Sequence, residues 1–190
     1  IVTANYGDSS ISVLDGASAA RFKPRIDYLT GGQGPVSVAI TGMNGVGVKD
    51  IVTTNFESNT VSILKNYGSG NFNSGSPIIL SGVYGPMGVA TADLNGDYSD
   101  DIVVANNATD TNGVNTVSVF LSNGSGGFDK IDYRTAGGSR SVALGDLNHD
   151  GNDDIVAVSG TNNSVSVLLG KGDGTFIPMV SYKIPGLRPN

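Results

Sequence analysis

The chain has 190 residues, 28 of them glycine, with 38% hydrophobic and 15% charged residues, the balance of a folded, loop-rich domain and not of a disordered one. A formal charge of −6 and a pI near 4.5, with 11 basic residues scattered along the chain, exclude the clustered Lys/Arg footprint of a nucleic-acid binder and favour cations as partners. The absence of cysteine excludes disulfides, thiolate metal sites and a cysteine nucleophile, and no apolar stretch approaches the roughly 20 residues of a membrane span.

The chain opens on a strand-like Ile1-Val2-Thr3-Ala4-Asn5 with no signal peptide ahead of it, so upstream sequence is expected. Ile11-Ser12-Val13-Leu14 then alternates apolar and polar residues with the period of a strand. Phe22 follows 11 residues after Ile11, and a further strand ends near Tyr28. Val36-Ser37-Val38-Ala39 comes next, and 12 residues after Ala39 the series restarts at Ile51-Val52-Thr53-Thr54-Asn55.

The second copy continues through Val61-Ser62-Ile63-Leu64, the turn Gly68-Ser69-Gly70, Phe72, and a strand ending near Leu80. The third runs from Met87-Gly88-Val89-Ala90 through Ile102-Val103-Val104-Ala105-Asn106, Val117-Ser118-Val119-Phe120, Gly124-Ser125-Gly126, Phe128 and Tyr133. The fourth runs from Ser141-Val142-Ala143 through Ile155-Val156-Ala157-Val158-Ser159, Val165-Ser166-Val167-Leu168, Gly172-Asp173-Gly174, Phe176 and Tyr182. The starts are spaced by 50, 51 and 53 residues. Four short strands per unit of that length predict an all-β chain of β-propeller blades, each a four-stranded antiparallel sheet that buries its faces only against its neighbours. The expected divisions are a partial blade over 1–32, then blades over 33–82, 83–136 and 137–190, all in one propeller segment.

Two loops between the first and second strands concentrate oxygen. Asp93-Leu94-Asn95-Gly96-Asp97-Tyr98-Ser99-Asp100-Asp101 and Asp146-Leu147-Asn148-His149-Asp150-Gly151-Asn152-Asp153-Asp154 place oxygen side chains at positions 1, 3, 5 and 9. Calcium takes about six to eight hard oxygen ligands, and a loop alternating ligand with spacer turns successive oxygens inward. The expected ligands of two calcium sites are Asp93, Asn95, Asp97 and Asp101 with the Ser99 carbonyl, and Asp146, Asn148, Asp150 and Asp154 with the Asn152 carbonyl. The alternative is an ion-free Asp/Asn-rich turn held by its own side-chain hydrogen bonds, against which mutual repulsion of three carboxylates weighs. In the aligned Gly42-Met43-Asn44-Gly45-Val46-Gly47-Val48-Lys49-Asp50 only Asn44 and Asp50 remain, and an empty loop is expected.

The Asp-Leu-Asn-x-Asp stretches followed by Asp-Ile-Val, the Gly-Asp-Gly-Thr-Phe turn at 172–176 and the Gly-Pro pairs at 34–35 and 85–86 resemble the FG-GAP/VCBS repeat family. That family includes the integrin α-subunit propeller head and many bacterial surface proteins. The resemblance spans essentially the whole chain. It implies that Ser-Val-Ala is the innermost strand of each blade, so that three complete blades and a partial one belong to a ring of six to eight. It also implies a calcium-binding, extracellular or cell-surface module for adhesion or recognition of protein or glycan. The ligand face would be formed by loops carrying Tyr6, Asp8, Phe56, Glu57, Tyr84, Asp110 and Arg140. Fungal lectins with this repeat bind sugars, but through tryptophan-rich blades, and this chain has no tryptophan.

Two other readings stay open: a structural repeat of a large surface protein or filament, and an accessory propeller of a carbohydrate-active enzyme. No catalysis is expected of the segment itself. Its only histidine, His149, occupies a spacer position of a predicted calcium loop, and its Gly-rich turns are not followed by helices. Open blade edges would favour self-association.

Overall fold

The structure is a computed structural model that describes residues 1–17, 21–43, 47–68, 70–72 and 75–185. The readings placed on Asn44, Gly45, Val46, Ser69 and Leu187-Arg188-Pro189-Asn190 lie outside the described residues. Strands dominate, with one short 3-10 turn at Tyr6–Asp8 and no α-helix among the described residues.

The first sheet holds β1 (Val2–Asn5), β2 (Ser10–Val13) and β5 (Ile26–Leu29), with a side ribbon of β3 (Gly16–Ala17) and β4 (Arg21–Phe22). The second holds β6 (Pro35–Thr41), β7 (Asp50–Asn55), β8 (Thr60–Leu64) and β9 (Ile78–Leu80). The third holds β10 (Pro86–Ala92), β11 (Asp101–Thr109), β12 (Asn115–Ser122) and β13 (Phe128–Arg134). The fourth holds β14 (Ser139–Gly145), β15 (Asp154–Ser159), β16 (Ser164–Leu168) and β17 (Val180–Lys183). Each is an antiparallel meander in chain order, the form of a propeller blade, and the four sheets are blades I to IV. The leading strands β6, β10 and β14 lie side by side, which sets them innermost, and no closed ring forms among the described residues.

Strand alternation decides where the cores sit. Successive side chains of a strand point to opposite faces, and here both faces are covered by neighbouring blades. Ile51 packs with Ile11, Val13 and Tyr28 between blades I and II, while the adjacent Val52 packs with Ile102 and Val104 between blades II and III. Val103 in turn joins Ile155, Ala157 and Leu168 between blades III and IV. The strand Asp50–Asn55 is buried along its whole length. The apolar core is therefore three separate seams, and each fully buried Val, Ile or Leu contributes about 1.5–3 kcal/mol to one of them.

The recurrent phenylalanine is the wedge of a seam. Phe72 meets Tyr28 of the preceding blade edge-to-face, with ring centroids 5.3 Å apart, and Phe176 meets Tyr133 in the same way at 5.3 Å. Phe72 and Phe176 are buried, whereas Phe22 in the side ribbon is 52% exposed.

A polar row runs inside each of the first three blades. The side-chain nitrogen of Asn55, at the end of β7, donates to Thr60 Oγ1 (3.1 Å) and Ser62 Oγ (2.7 Å) on β8. Asn106 does the same to Thr116 (3.0 Å) and Ser118 (2.9 Å), and Asn5 to Ser10 (3.0 Å) and Ser12 (2.8 Å). Ser12 and Ser118 pass the row on to Asp27 and Asp132, each at 2.6 Å. The serines of the Val-Ser-Val pattern are thus buried with partners, as interior polar groups must be.

Candidate functional site

The two acidic loops fold alike. Position 4 and position 6 both take the left-handed backbone: Gly96 (φ 78) and Tyr98 (φ 67) in one loop, His149 (φ 62) and Gly151 (φ 88) in the other. Each loop has one glycine where that conformation is free of strain and one residue that pays for it.

Their side chains make matching bonds. Asp93 Oδ1 accepts the amides of Gly96 (2.8 Å) and Asp97 (3.1 Å), and its Oδ2 accepts that of Tyr98 (2.8 Å). Asp146 accepts the amides of Asp150 (3.1 Å) and Gly151 (2.9 Å). Asn95 Nδ2 donates to Asp97 Oδ2 (3.2 Å) and Asn148 Nδ2 to Asp150 Oδ2 (2.9 Å), while the amides of Ser99 and Asn152 donate to Asp97 and Asp150. The side-chain bond from Asn148 and the Asn152 amide hold the Asp150 carboxyl below its ordinary range.

Position 9 has a different task. Asp101 accepts the Leu94 amide (3.0 Å) on one oxygen and the Ser122 amide (2.8 Å) on the other, tying the loop to the far end of β12. Asp154 accepts the amides of Leu147 (2.9 Å) and Gly170 (2.8 Å). Asp101 is fully buried. Its carboxyl is raised to about 6, chiefly by burial and further by the charges of Asp97 and Asp93, against the opposing pull of the Ser122 and Leu94 amides. In the degenerate loop Asp50 keeps only the bond from the Asn66 amide (2.7 Å), its other oxygen is buried without a partner, and burial raises its carboxyl. Asp100, from the neighbouring blade, accepts the Thr41 hydroxyl (3.0 Å) and the Gly42 amide there.

Among the described residues no three His, Asp or Glu side chains stand together as a metal-holding group. The carboxylates at positions 1 and 5 are turned onto the loop's own amides, the arrangement an ion-free turn would use. Their oxygens are not exhausted. A carboxylate has about four acceptor positions, and Asp97 and Asp101 each use two. The donor set is all oxygen, which suits calcium and no softer metal.

The predicted ligand-face residues scatter among separate roles. Tyr6 donates its hydroxyl to Glu57 Oε1 (2.8 Å), a bond that raises the phenol above its ordinary range, and its ring lies over Gly34, where a Cβ would come within 3.1 Å of it. Phe56 covers Gly85 in the same way, 3.5 Å from where a Cβ would stand. Both aromatics therefore pack across blade seams. Asp110 caps its own hairpin through the amides of Val114 (2.8 Å) and Asn112 (2.9 Å), which lower its carboxyl. The Tyr84 amide donates to Asn106 Oδ1 (3.1 Å), Asp8 is exposed in the 3-10 turn, and Arg140 Nε is buried without a partner.

A groove that the sequence did not suggest opens between blades III and IV, with a cavity of about 640 Å³. Tyr133, Thr135, Leu168, Phe176, Pro178 and Met179 line it, beside the outer edge of β13. A smaller counterpart of about 330 Å³ lies at Tyr28, Phe72 and Pro77 between blades I and II. The recurrence of Tyr28 and Tyr133 with the following Phe72 and Phe176 was the available signal.

A family model described as FG-GAP-like repeat matches residues 43–104 and again 99–157. The chain belongs to the FG-GAP repeat family. No curated protein matches it in sequence. Among solved structures it is similar to an Agrocybe aegerita lectin that recognises non-reducing terminal N-acetylglucosamine, at 20% identity and a TM-score of 0.60, over 92% of this chain and 46% of the lectin. It is also similar to the pore of the Photorhabdus luminescens Tc holotoxin, at 19% identity and a TM-score of 0.47, over 100% of this chain and 10% of that one. The chain thus spans less than half of either, and the likeness to the lectin is one of fold.

Proposed function

We propose that the chain is a calcium-braced recognition module of an extracellular or cell-surface protein, and that it binds a glycan instead of catalysing a reaction. The groove between blades III and IV carries this reading. Its volume falls in the range of about 300–1,000 Å³ typical of small-ligand pockets, and its walls pair aromatic and apolar side chains with the polar edge of a strand. Sugar rings, with one apolar face and a rim of hydroxyls, suit such walls. The fold likeness to a sugar-binding lectin supports the choice of ligand class.

Calcium would be held by Asp93, Asn95, Asp97 and Asp101 in one loop and by Asp146, Asn148, Asp150 and Asp154 in the other, with the carbonyls of Ser99 and Asn152. There it would neutralise the crowded carboxylates and brace the two strands that leave each loop. The chain's own residues already set the frame, since Asp101 and Asp154 fasten the loops to the ends of β12 and β16.

A glycan array read with and without calcium tests the module, alongside elemental analysis of the purified protein. Retention of particular glycans, lost in Met179→Asp, is expected, together with close to two calcium ions per chain. An array with no retained glycan refutes the ligand class, and an ion content near zero in calcium-containing buffer refutes the brace.

A further inference from the structure

Three Asn-x-Ser/Thr triplets, which mark acceptors for N-linked sugar, stand at Asn107, Asn123 and Asn162, and the structure separates them. Asn162 uses its side-chain nitrogen to donate to the Ala136 carbonyl, and its Oδ1 accepts the hydroxyl of Ser164, the buried third residue of its own triplet. Asn107 lies in the seam between blades III and IV. Its Oδ1 is buried, and its backbone carbonyl sits where a Cβ on Gly138 would stand, 2.3 Å from it. A glycan on either would force the seam apart.

Asn123 differs at each point. It is exposed at the tip of the hairpin joining β12 to β13. Its Oδ1 accepts three donors, the Ser125 amide (3.1 Å), the Ser125 hydroxyl (2.8 Å) and the Gly127 amide (3.0 Å). Those bonds fix the carboxamide by its oxygen, and its nitrogen has no partner among the described residues. The hydroxyl that defines the triplet is the one seated on the carboxamide.

We propose that Asn123 is the one N-glycan acceptor among these three triplets. The co-reactant is a polyprenyl-pyrophosphate-linked oligosaccharide with its transferase. Asn123 Nδ2 attacks the anomeric carbon, the Nδ2–C1 bond forms, the bond from C1 to the pyrophosphate oxygen breaks, and the amide proton passes to a base of the transferase. In a native host this rests on the extracellular reading of the module.

Expression through a eukaryotic secretory pathway supplies the compartment, so the test judges the site and not the address. Intact mass and peptide mapping should show one glycan, on Asn123, removed by a peptide-N-glycosidase. It should be absent from Asn123→Gln and from Ser125→Ala, the second variant leaving the asparagine in place, and retained in Asn107→Gln. An unglycosylated secreted chain, or sugar mapped to Asn107 or Asn162, overturns the proposal.

Discussion

The four phenylalanines at the recurrent repeat position, Phe22, Phe72, Phe128 and Phe176, offer an internal comparison of seam energetics. Phe176 is 5% exposed and meets Tyr133 edge-to-face, whereas Phe22 occupies the same repeat position and is 52% exposed. Truncating a buried phenylalanine to alanine costs about 3–5 kcal/mol, because the lost transfer energy adds to a cavity the surroundings only partly fill. Of that, the pairing with Tyr133 supplies about 0.5–1.5 kcal/mol. Phe176→Ala should therefore remove about a fifth or more of a total stability of about 5–15 kcal/mol. Phe22→Ala should stay within about 1 kcal/mol of the parent, as surface changes do. Phe176→Leu, which keeps most of the apolar volume, should recover the larger part of the loss. Urea unfolding with linear extrapolation reads all three. Equal losses for Phe22→Ala and Phe176→Ala, or a loss below about 1 kcal/mol for the latter, would refute the wedge.

In metal-free buffer the buried Asp101, with a carboxyl raised from 3.8 to about 6, binds its proton more tightly in the folded state. Its contribution is complete below pH 3.8 and is lost as pH rises through 6, at most about 3 kcal/mol at 1.36 kcal/mol per pKa unit. The difference in stability between parent and Asp101→Asn, followed from pH 3.5 to 7.5, should fall across that window; a flat difference would refute it. Calcium at about 100 times its Kd should stabilise the fold by about 2.7 kcal/mol per site, read as a rise in Tm that EDTA reverses. Asp150→Ala should lose its loop's share of that rise, while Asp50→Ala should lose stability whether or not calcium is present; equal calcium sensitivity of the two would sink the assignment. Tyr98→Gly should gain about 0.5–1 kcal/mol in thermal unfolding, since relief of a left-handed tyrosine (φ 67) outweighs the added freedom of the unfolded chain; a loss would refute it.

Sequence periodicity carried the architecture because a blade repeats its burial as well as its residues. Ile51 and Val52 could be read as a strand core, and so they are. The polar row was within reach, since Asn5, Asn55 and Asn106 recur with Ser12, Ser62 and Ser118, but a serine in an alternating strand reads first as solvent-facing. The acid loops were visible as a pattern. What the pattern could not disclose is that Asp101 and Asp154 serve distant amides at Ser122 and Gly170, because that bond depends on where the third strand ends in space. Tyr6 and Phe56 looked like exposed loop aromatics; only the approach of the next blade's Gly34 and Gly85 gives them a packing role. The groove beside Tyr133 is a distance between two outer strands, a quantity no single strand encodes.

That adjacent residues of one strand serve different seams changes what counts as a heritable part. Val103 answers to Ile155 on one side, while Ile102 and Val104 answer to Val52 on the other. A repeat copied whole by gene duplication carries two half-interfaces, and it fits wherever its neighbours expose the matching halves. Substitutions should accordingly covary across seams more tightly than within blades. A transplanted blade will be accepted or refused by its flanks, whatever the quality of its own hydrogen bonding.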